Sequence, residues 1–397
     1  MQGKIERICE WVQHLATREF TFQQLVDGIA NQLCDSGLPL FRLHLTVRIV
    51  HPIYSGTAVT WNRTGTIDLN SFTPADGASD DWMQSPLRYM LENKKYQYHH
   101  KFDFDLQKEP FPLFDELKER GATSYFANIT AFGDPETALE REDGFIISWV
   151  SDHPGGWTQE ELDSLIKLQS SMAVAIRWAM TQRLAKNILN SYFGKGVGQR
   201  LLSGQVRLGD GEDIHAIIWF SDLRSSTRLA ETLGKDAFLD LLNDFLGCMV
   251  TAVEAENGEV LSYIGDSVLA IFPYENYKHE ADAAEVALNA ALQACKNVDA
   301  LNEERTAQNE NTIQFGIGLH PGVVMFGNIG TQTRLNFSVV GSAVNEAARV
   351  TDMCRDLNER ILVTDKFKRL TDREWLSKGE YQFRNVKSKM ELWIPKS

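Results

Sequence analysis

The segment FSDLRSST, residues 220–227, decides how the chain is read. It follows the apolar run IHAIIW, 214–219, so a buried strand gives way to a carboxylate at Asp222, and the helical SSTRLAETL comes next. A second stretch, EVLSYIGDSVLAIF, 259–272, reads as two short strands reversing at Gly265-Asp266, a hairpin with a type I′ or II′ turn. Taken singly, Asp222 is a helix cap and Asp266 supplies turn geometry. Taken together, they are neighbours if the two strands lie side by side in one sheet. Two carboxylates so placed beside a helix N-terminus make a site for divalent cations holding a triphosphate, because the helix end and the cations both favour the anion.

The third element is SVVGSAVNEAARVTD, 338–352, in which Asn345 and Arg349 stand four apart on one helix face. An amide and a guanidinium there can orient a ribose and neutralise charge developing on a phosphoryl group; the alternative is an ordinary solvated helix face. The second half reads βααβ-β-α-ββ-α-β. A long helix carrying Phe238, Leu241, Leu242, Phe245, Met249 and Val253 stops at Asn257-Gly258, and an alanine-rich helix follows at ADAAEVALNAALQA. IQFGIGLHPG running into VVMFGNIG makes a second hairpin. GIGLHPG is no dinucleotide loop, since a strand and not a helix comes after it.

At 397 residues the chain is long enough for two domains. Its net charge of −14 offers no basic stripe for nucleic acid or an anionic membrane. The five cysteines form no CxxC pair, which suits a reducing cytosol and small core residues. The N-terminus, MQGKIERICEWVQHL, reads as an amphipathic helix, and no apolar run approaches the ~20 residues of a membrane span. The expected location is cytoplasmic.

The first half alternates helical segments with strands at FRLHLTVRIV, TAVTW, SYFANITAF and GFIISWV, an α+β module on an antiparallel sheet. His99-His100, in a polar stretch, reads as solvated. A helix begins at Thr158 and Glu161, which have capping-box spacing. Its apolar residues Leu162, Leu165, Ile166, Met172, Ala173, Ile176, Met180, Leu184 and Ile188 form a narrow stripe expected to meet a partner helix, with a helix lying on its own sheet as the alternative. The glycine-rich NSYFGKGVGQRLLSGQVRLGDGED then reads as a linker. The expected layout is 1–157, a signalling helix and linker over 158–205, and 206–397.

FSDLRSST, YIGDSVLAIF and VVGSAVNEAAR, in this order, resemble the catalytic domain of class III nucleotidyl cyclases, from about residue 206 to the C-terminus. The resemblance implies a ferredoxin-like α+β domain that turns a nucleoside triphosphate into a 3′,5′-cyclic nucleotide and pyrophosphate. It implies that Asp222 and Asp266 hold two Mg²⁺ or Mn²⁺ ions per site. Asn345 and Arg349 would act from the other subunit of a homodimer, Lys387 in FRNVKSKMELW would bind phosphate, and Arg334 is a second phosphate candidate. The family's adenine lysine and its Asp or Thr partner are replaced here by Ser262 and Ser338, a departure that leaves base choice open: ATP is the expected substrate, with cGMP or cyclic pyrimidine production as alternatives, or a catalytically silent nucleotide-binding module. Diguanylate cyclases lack a counterpart of VNEAAR. The N-terminal part resembles a GAF-type sensor through its strand and helix order and the ending GGWTQEELDSL, which implies a small-molecule or protein signal.

Overall fold

The computed structural model describes residues 2–48, 54–73, 79–104, 108–133, 143–205, 207, 209, 211–331, 334–383 and 389–396. They fall into two compact units, Met1–Ile188 and Leu189–Ser397.

The first unit runs α1 (Gln2–Leu15), α2 (Phe22–Asp35), β1 (Leu40–Arg48), β2 (Gly56–Asn62), β3 (Ile67–Phe72), α3 (Asp80–Met83), α4 (Pro86–Glu92), β4 (Gln97–Lys101), α5 (Pro112–Glu119), β5 (Ser124–Ala131), β6 (Gly144–Ser151) and α6 (Gln159–Phe193). The strands pair antiparallel throughout in the order β3-β2-β1-β6-β5-β4. Alternation along β1 sends Leu43, Leu45 and Val47 into a core shared with α1, α2 and α6. On the opposite face Tyr125 and Val150 pack against Met90 of α4 and Phe114 of α5.

Two expectations change here. From Leu162 to Met180 the apolar stripe on α6 is used up inside its own unit: Leu162, Leu165, Met172 and Ile176 are core residues, and Ile166, Ala173 and Met180 pack on them, while Leu184 is half-buried and Ile188 exposed. Periodicity shows that a face is covered; here the sheet behind it does the covering. What α6 leaves in solvent within this unit is Val174 at 69% exposure, Trp178 at 46% and Ile188, the last residue of the expected stripe, at 43%. With Thr181 and Ala185 these follow the alternating four-and-three spacing of a coiled-coil seam. The histidine pair divides: both lie on β4, where His99 stays exposed as expected, bonding Ser124, while His100 is half-buried, meets the buried Glu109 at 2.8 Å and stacks on Phe114.

The second unit contains α7 (Lys195–Leu202), β7 (Gly211–Leu223), α8 (Ser226–Leu233), α9 (Lys235–Ala255), β8 (Glu259–Ile264), β9 (Ser267–Pro273), α10 (Glu280–Ala307), β10 (Phe315–Thr331), β11 (Arg334–Val340), α11 (Ser342–Asp356), β12 (Ile361–Thr364), α12 (Asp365–Lys368), β13 (Trp375–Tyr381) and β14 (Met390–Pro395). The sheet order is β13-β14-β12-β10-β7-β9-β8, with β11 paired to β10. Helices α9 and α10 cover one face through Phe245, Met249, Ala287 and Ala291, and α11 covers the other through Ala343 and Ala347. Part of the expected linker is helical: α7 buries Val197 in the core formed by Ile218 and Phe326.

The second hairpin falls later than the sequence suggests. Residues 315–331 form one unbroken strand, and Pro321-Gly322 stays paired with Ile217 and Ala216 of β7. Proline is tolerated because β12 pairs with β10 only at 317–319 and β11 only at 325–331, so Pro321 stands between them with β7 as its one neighbouring strand. The β13–β14 hairpin completes the sheet beyond the strands read from the pattern.

Candidate active site

Strand β7 lies at the centre of the second sheet, and Asp222 near its end pairs in register with Ser267 of β9 and Gly316 of β10. The β8–β9 hairpin turns at Gly265, whose φ of 65° is left-handed, so Asp266 arrives directly beside Ser267. The two acids of the sequence reading are therefore neighbours. Ser267 Oγ donates to Asp222 Oδ1 at 2.5 Å. Burial raises the Asp222 carboxyl above its ordinary range; the Ser267 hydroxyl pulls it down, and the charges of Asp266 and Asp352 push it up again.

Asp222 is not the cap of the following helix. Ser225 occupies that position with φ 60°, a left-handed conformation costly for a residue with a side chain. The chain is held in this bend by Arg224, whose Nη2 donates to the carbonyls of Cys354 at 2.6 Å and Glu359 at 2.5 Å. One guanidinium thus fastens the Asp222 loop to the C-terminal end of α11. Residues 222–227 with Gly316, Thr351, Asp352 and Arg355 line a cleft of about 180 Å³.

Helix α11 lies unusually close to the sheet. Gly316, Gly318 and Gly322 share one face of β10 with His320, and a Cβ at Gly318 would sit 2.5 Å from Thr351 Oγ1 and 2.7 Å from the Ala347 carbonyl. At Gly316 it would meet Cys354 Cβ at 2.5 Å, and at Gly322 it would meet Ala343. GIGLHPG is thus a seat for a helix.

Asn345 and Arg349 share the exposed face of α11, as their spacing requires, but neither lines the cleft beside Asp222. Arg349 Nη1 meets Asp352 Oδ2 at 3.1 Å. Ser262 is half-buried on β8, next to a register shift between Val260 and Ser262. Ser338 and Arg334 lie on β11 opposite Gly327 and Thr331. Lys387 lies outside the described residues. Sequence reasoning missed Ser267, Arg224, Asp352 and Arg355. Ser267 was within reach, since a residue next to Asp266 on a strand paired with β7 must face Asp222.

This region is similar to known proteins. Residues 212–395 match the model of the adenylate and guanylate cyclase catalytic domain. The chain is 32% identical over 164 residues to an adenylate cyclase of Anabaena cylindrica, covering 40% of this chain and 31% of that one. It is 30% identical over 159 residues to the terminal-differentiation specific adenylate cyclase of Dictyostelium discoideum, covering 40% of this chain and 7% of that one. The chain therefore spans less than a third of the length of these curated relatives. The crystal structure of the adenylyl cyclase CyaB from P. aeruginosa aligns with a TM-score of 0.43 at 22% identity, over 47% of this chain and 96% of that one. No helix among the described residues is long and apolar enough to cross a membrane. Over residues 212–395, then, the chain is similar to the adenylate and guanylate cyclase catalytic domain.

Proposed function

We propose that the protein is a homodimeric nucleotidyl cyclase, with ATP as first substrate, whose N-terminal unit controls the activity. The observation that carries this reading is a division of labour: Asp222 and Asp266 converge, while Asn345 and Arg349 face out of the same chain's cleft. A second copy related by a two-fold axis would bring both halves together twice. The cleft of about 180 Å³ falls below the ~300 Å³ at the small end of ligand sites, as expected for half a pocket. The exposed seam of α6 offers a second copy an apolar line to pack against.

Two half-buried carboxylates, one pushed above its usual range, fit Mg²⁺ or Mn²⁺, which bind through one or two carboxylates and fill the remaining positions with water and substrate phosphate. Among the described residues no group of three His, Cys, Asp or Glu could hold an ion unaided, so the metals belong with the nucleotide. Bound there, they would supply positive charge to the ribose 3′-oxygen and the triphosphate. Ser267 holds Asp222 in place, Asn345 of the partner subunit orients the ribose, and Arg349 of the partner subunit donates to the phosphoryl oxygens as charge builds on them. Arg334 and Lys387 stand as further phosphate ligands, and Ser262 and Ser338 as base contacts.

In this reading the N-terminal unit is a GAF-like sensor for a small-molecule or protein signal. Its support is a six-stranded antiparallel sheet with helices on both faces, ending in the 35-residue α6. The layout 1–157, 158–205 and 206–397 belongs to the same proposal.

Purified protein incubated with each of the four ribonucleoside triphosphates and Mn²⁺ should yield cyclic AMP from ATP, identified by mass spectrometry. Absence of a cyclic product from all four would leave the silent nucleotide-binding module, which the short Ser262 favours. A cyclic product from GTP or a pyrimidine triphosphate instead of ATP would reassign the base. Ser262→Lys adds a long cationic donor and should shift the product ratio toward cyclic AMP by about ten-fold. An unchanged ratio would put base selection at another position.

A further inference from the structure

We propose that His320 and Glu346 are positioning residues, whose buried hydrogen bond sets the rotation and axial register of α11 and so the reach of Asn345 and Arg349. The proposal rests on the cyclase reading and deepens it. It starts from the glycine seat. Helices usually find their place on a partner by interlocking ridges and grooves, but glycines at 316, 318 and 322 present α11 with nearly flat backbone. Close approach is gained and interlocking is lost. His320 is the one side chain in that alternating row, and it is 1% exposed.

The imidazole is gripped from both ends. Nδ1 lies 3.0 Å from Thr364 Oγ1, and Nε2 lies 3.0 Å from Glu346 Oε2. Glu346 Oε2 can only accept, so the ring proton on Nε2 is aimed at it and Nδ1 accepts the Thr364 hydroxyl proton, while Thr364 Oγ1 itself accepts from the Phe367 amide at 3.4 Å. That bond, more than any other influence, holds the Glu346 carboxyl below its usual range. Glu346 directly follows Asn345 and precedes Arg349 by three residues, so it fixes the turn that carries both. Farther along α11, Thr351 Oγ1 donates to the Phe220 carbonyl and Arg224 holds the end. Glu346 does the same for the first half.

A polar pair of this kind, His320 buried and Glu346 half-buried, adds little stability over apolar side chains of similar volume, so its contribution here is direction. The test compares Glu346→Leu and Glu346→Gln with the parent, reading kcat and KM for the metal-nucleotide, thermal melting, and hydrogen exchange of residues 342–356. Glu346→Leu should lose about ten- to a hundred-fold in kcat, with KM little changed and faster exchange in α11. Glu346→Gln, which keeps an acceptor for Nε2, should retain most of the parent rate. Where the single leucine variant does not fold, the double variant His320→Leu, Glu346→Leu removes both ends of this bond, leaves the Thr364 hydroxyl its contact with the Phe367 amide, and should melt closer to the parent than the single variant while showing the same kcat loss. Parent kcat in a folded leucine variant, with α11 exchange unchanged, overturns the proposal. So does a Glu346→Gln variant that melts like the parent yet is as slow as Glu346→Leu. A parent that makes no cyclic product fails the cyclase reading instead, and the exchange measurement then decides whether the pair still sets α11.

Discussion

Asp222→Asn should abolish cyclic nucleotide formation, by about 10³-fold or more, and at the same time raise the melting temperature of the metal-free protein. The two effects have one origin. Burial and the charges of Asp266 and Asp352 hold the Asp222 carboxyl above its unfolded range. A carboxylate whose folded pKa is raised opposes folding once ionised: stability falls as pH rises from the ordinary carboxylate range through the folded value, and the deficit persists at neutral pH. The amide has no charge to desolvate, and its Oδ1 still accepts from Ser267. What it loses is the negative charge that would hold a divalent cation. Mn²⁺ with nucleotide should therefore raise the melting temperature of the parent and leave the variant unchanged. Thermal scans with and without Mn²⁺, beside product assays, check both halves. Parent-like turnover would remove Asp222 from the metal site, and a lower metal-free melting temperature would make it a structural residue.

Arg349→Ala should slow turnover by about 10²- to 10³-fold with almost no change in stability. Arg349 is half-exposed and, among the described residues, its ion pair is with Asp352, also exposed; such surface pairs contribute little. The guanidinium is available to serve elsewhere. An equal mixture of Asp222→Asn and Arg349→Ala chains, denatured and refolded together, should recover roughly a quarter of the parent activity. Half of the dimers are mixed, and each mixed dimer has one site with an intact acid pair and an intact arginine. Recovery near zero while mixed dimers form would show that one chain supplies both groups to its own site.

The acid pair is legible in the sequence because its causes are local. A strand pattern ending at Asp222 and a two-residue turn at Gly265-Asp266 need no knowledge of the rest of the chain. The shared face of Asn345 and Arg349 follows from helical period alone. Other features depend on distant partners. Ser267 reaches Asp222 across 45 residues, and Arg224 reaches Cys354 across 130. Pro321-Gly322 carries the chemistry of a turn, yet its place between β12 and β11 lets the strand run on. The stripe at 162–180 announces a covered face without saying what covers it. His100 looks as solvated as its neighbour His99 until Phe114 of α5 stacks on it and Glu109 takes its ring nitrogen. These are tertiary outcomes, and a local pattern does not encode them.

The bare strip of β10 has a last consequence for how this domain can vary. Three positions without side chains look like places where new atoms would be welcome. At Gly318 the nearest neighbours of an added methyl include the Ala347 carbonyl and the Thr351 amide, main-chain atoms with no rotamer to yield. Even alanine there is a wedge, lifting α11 from one edge and swinging Asn345 and Arg349 with it. The plainest surface in the domain is the one with the least slack.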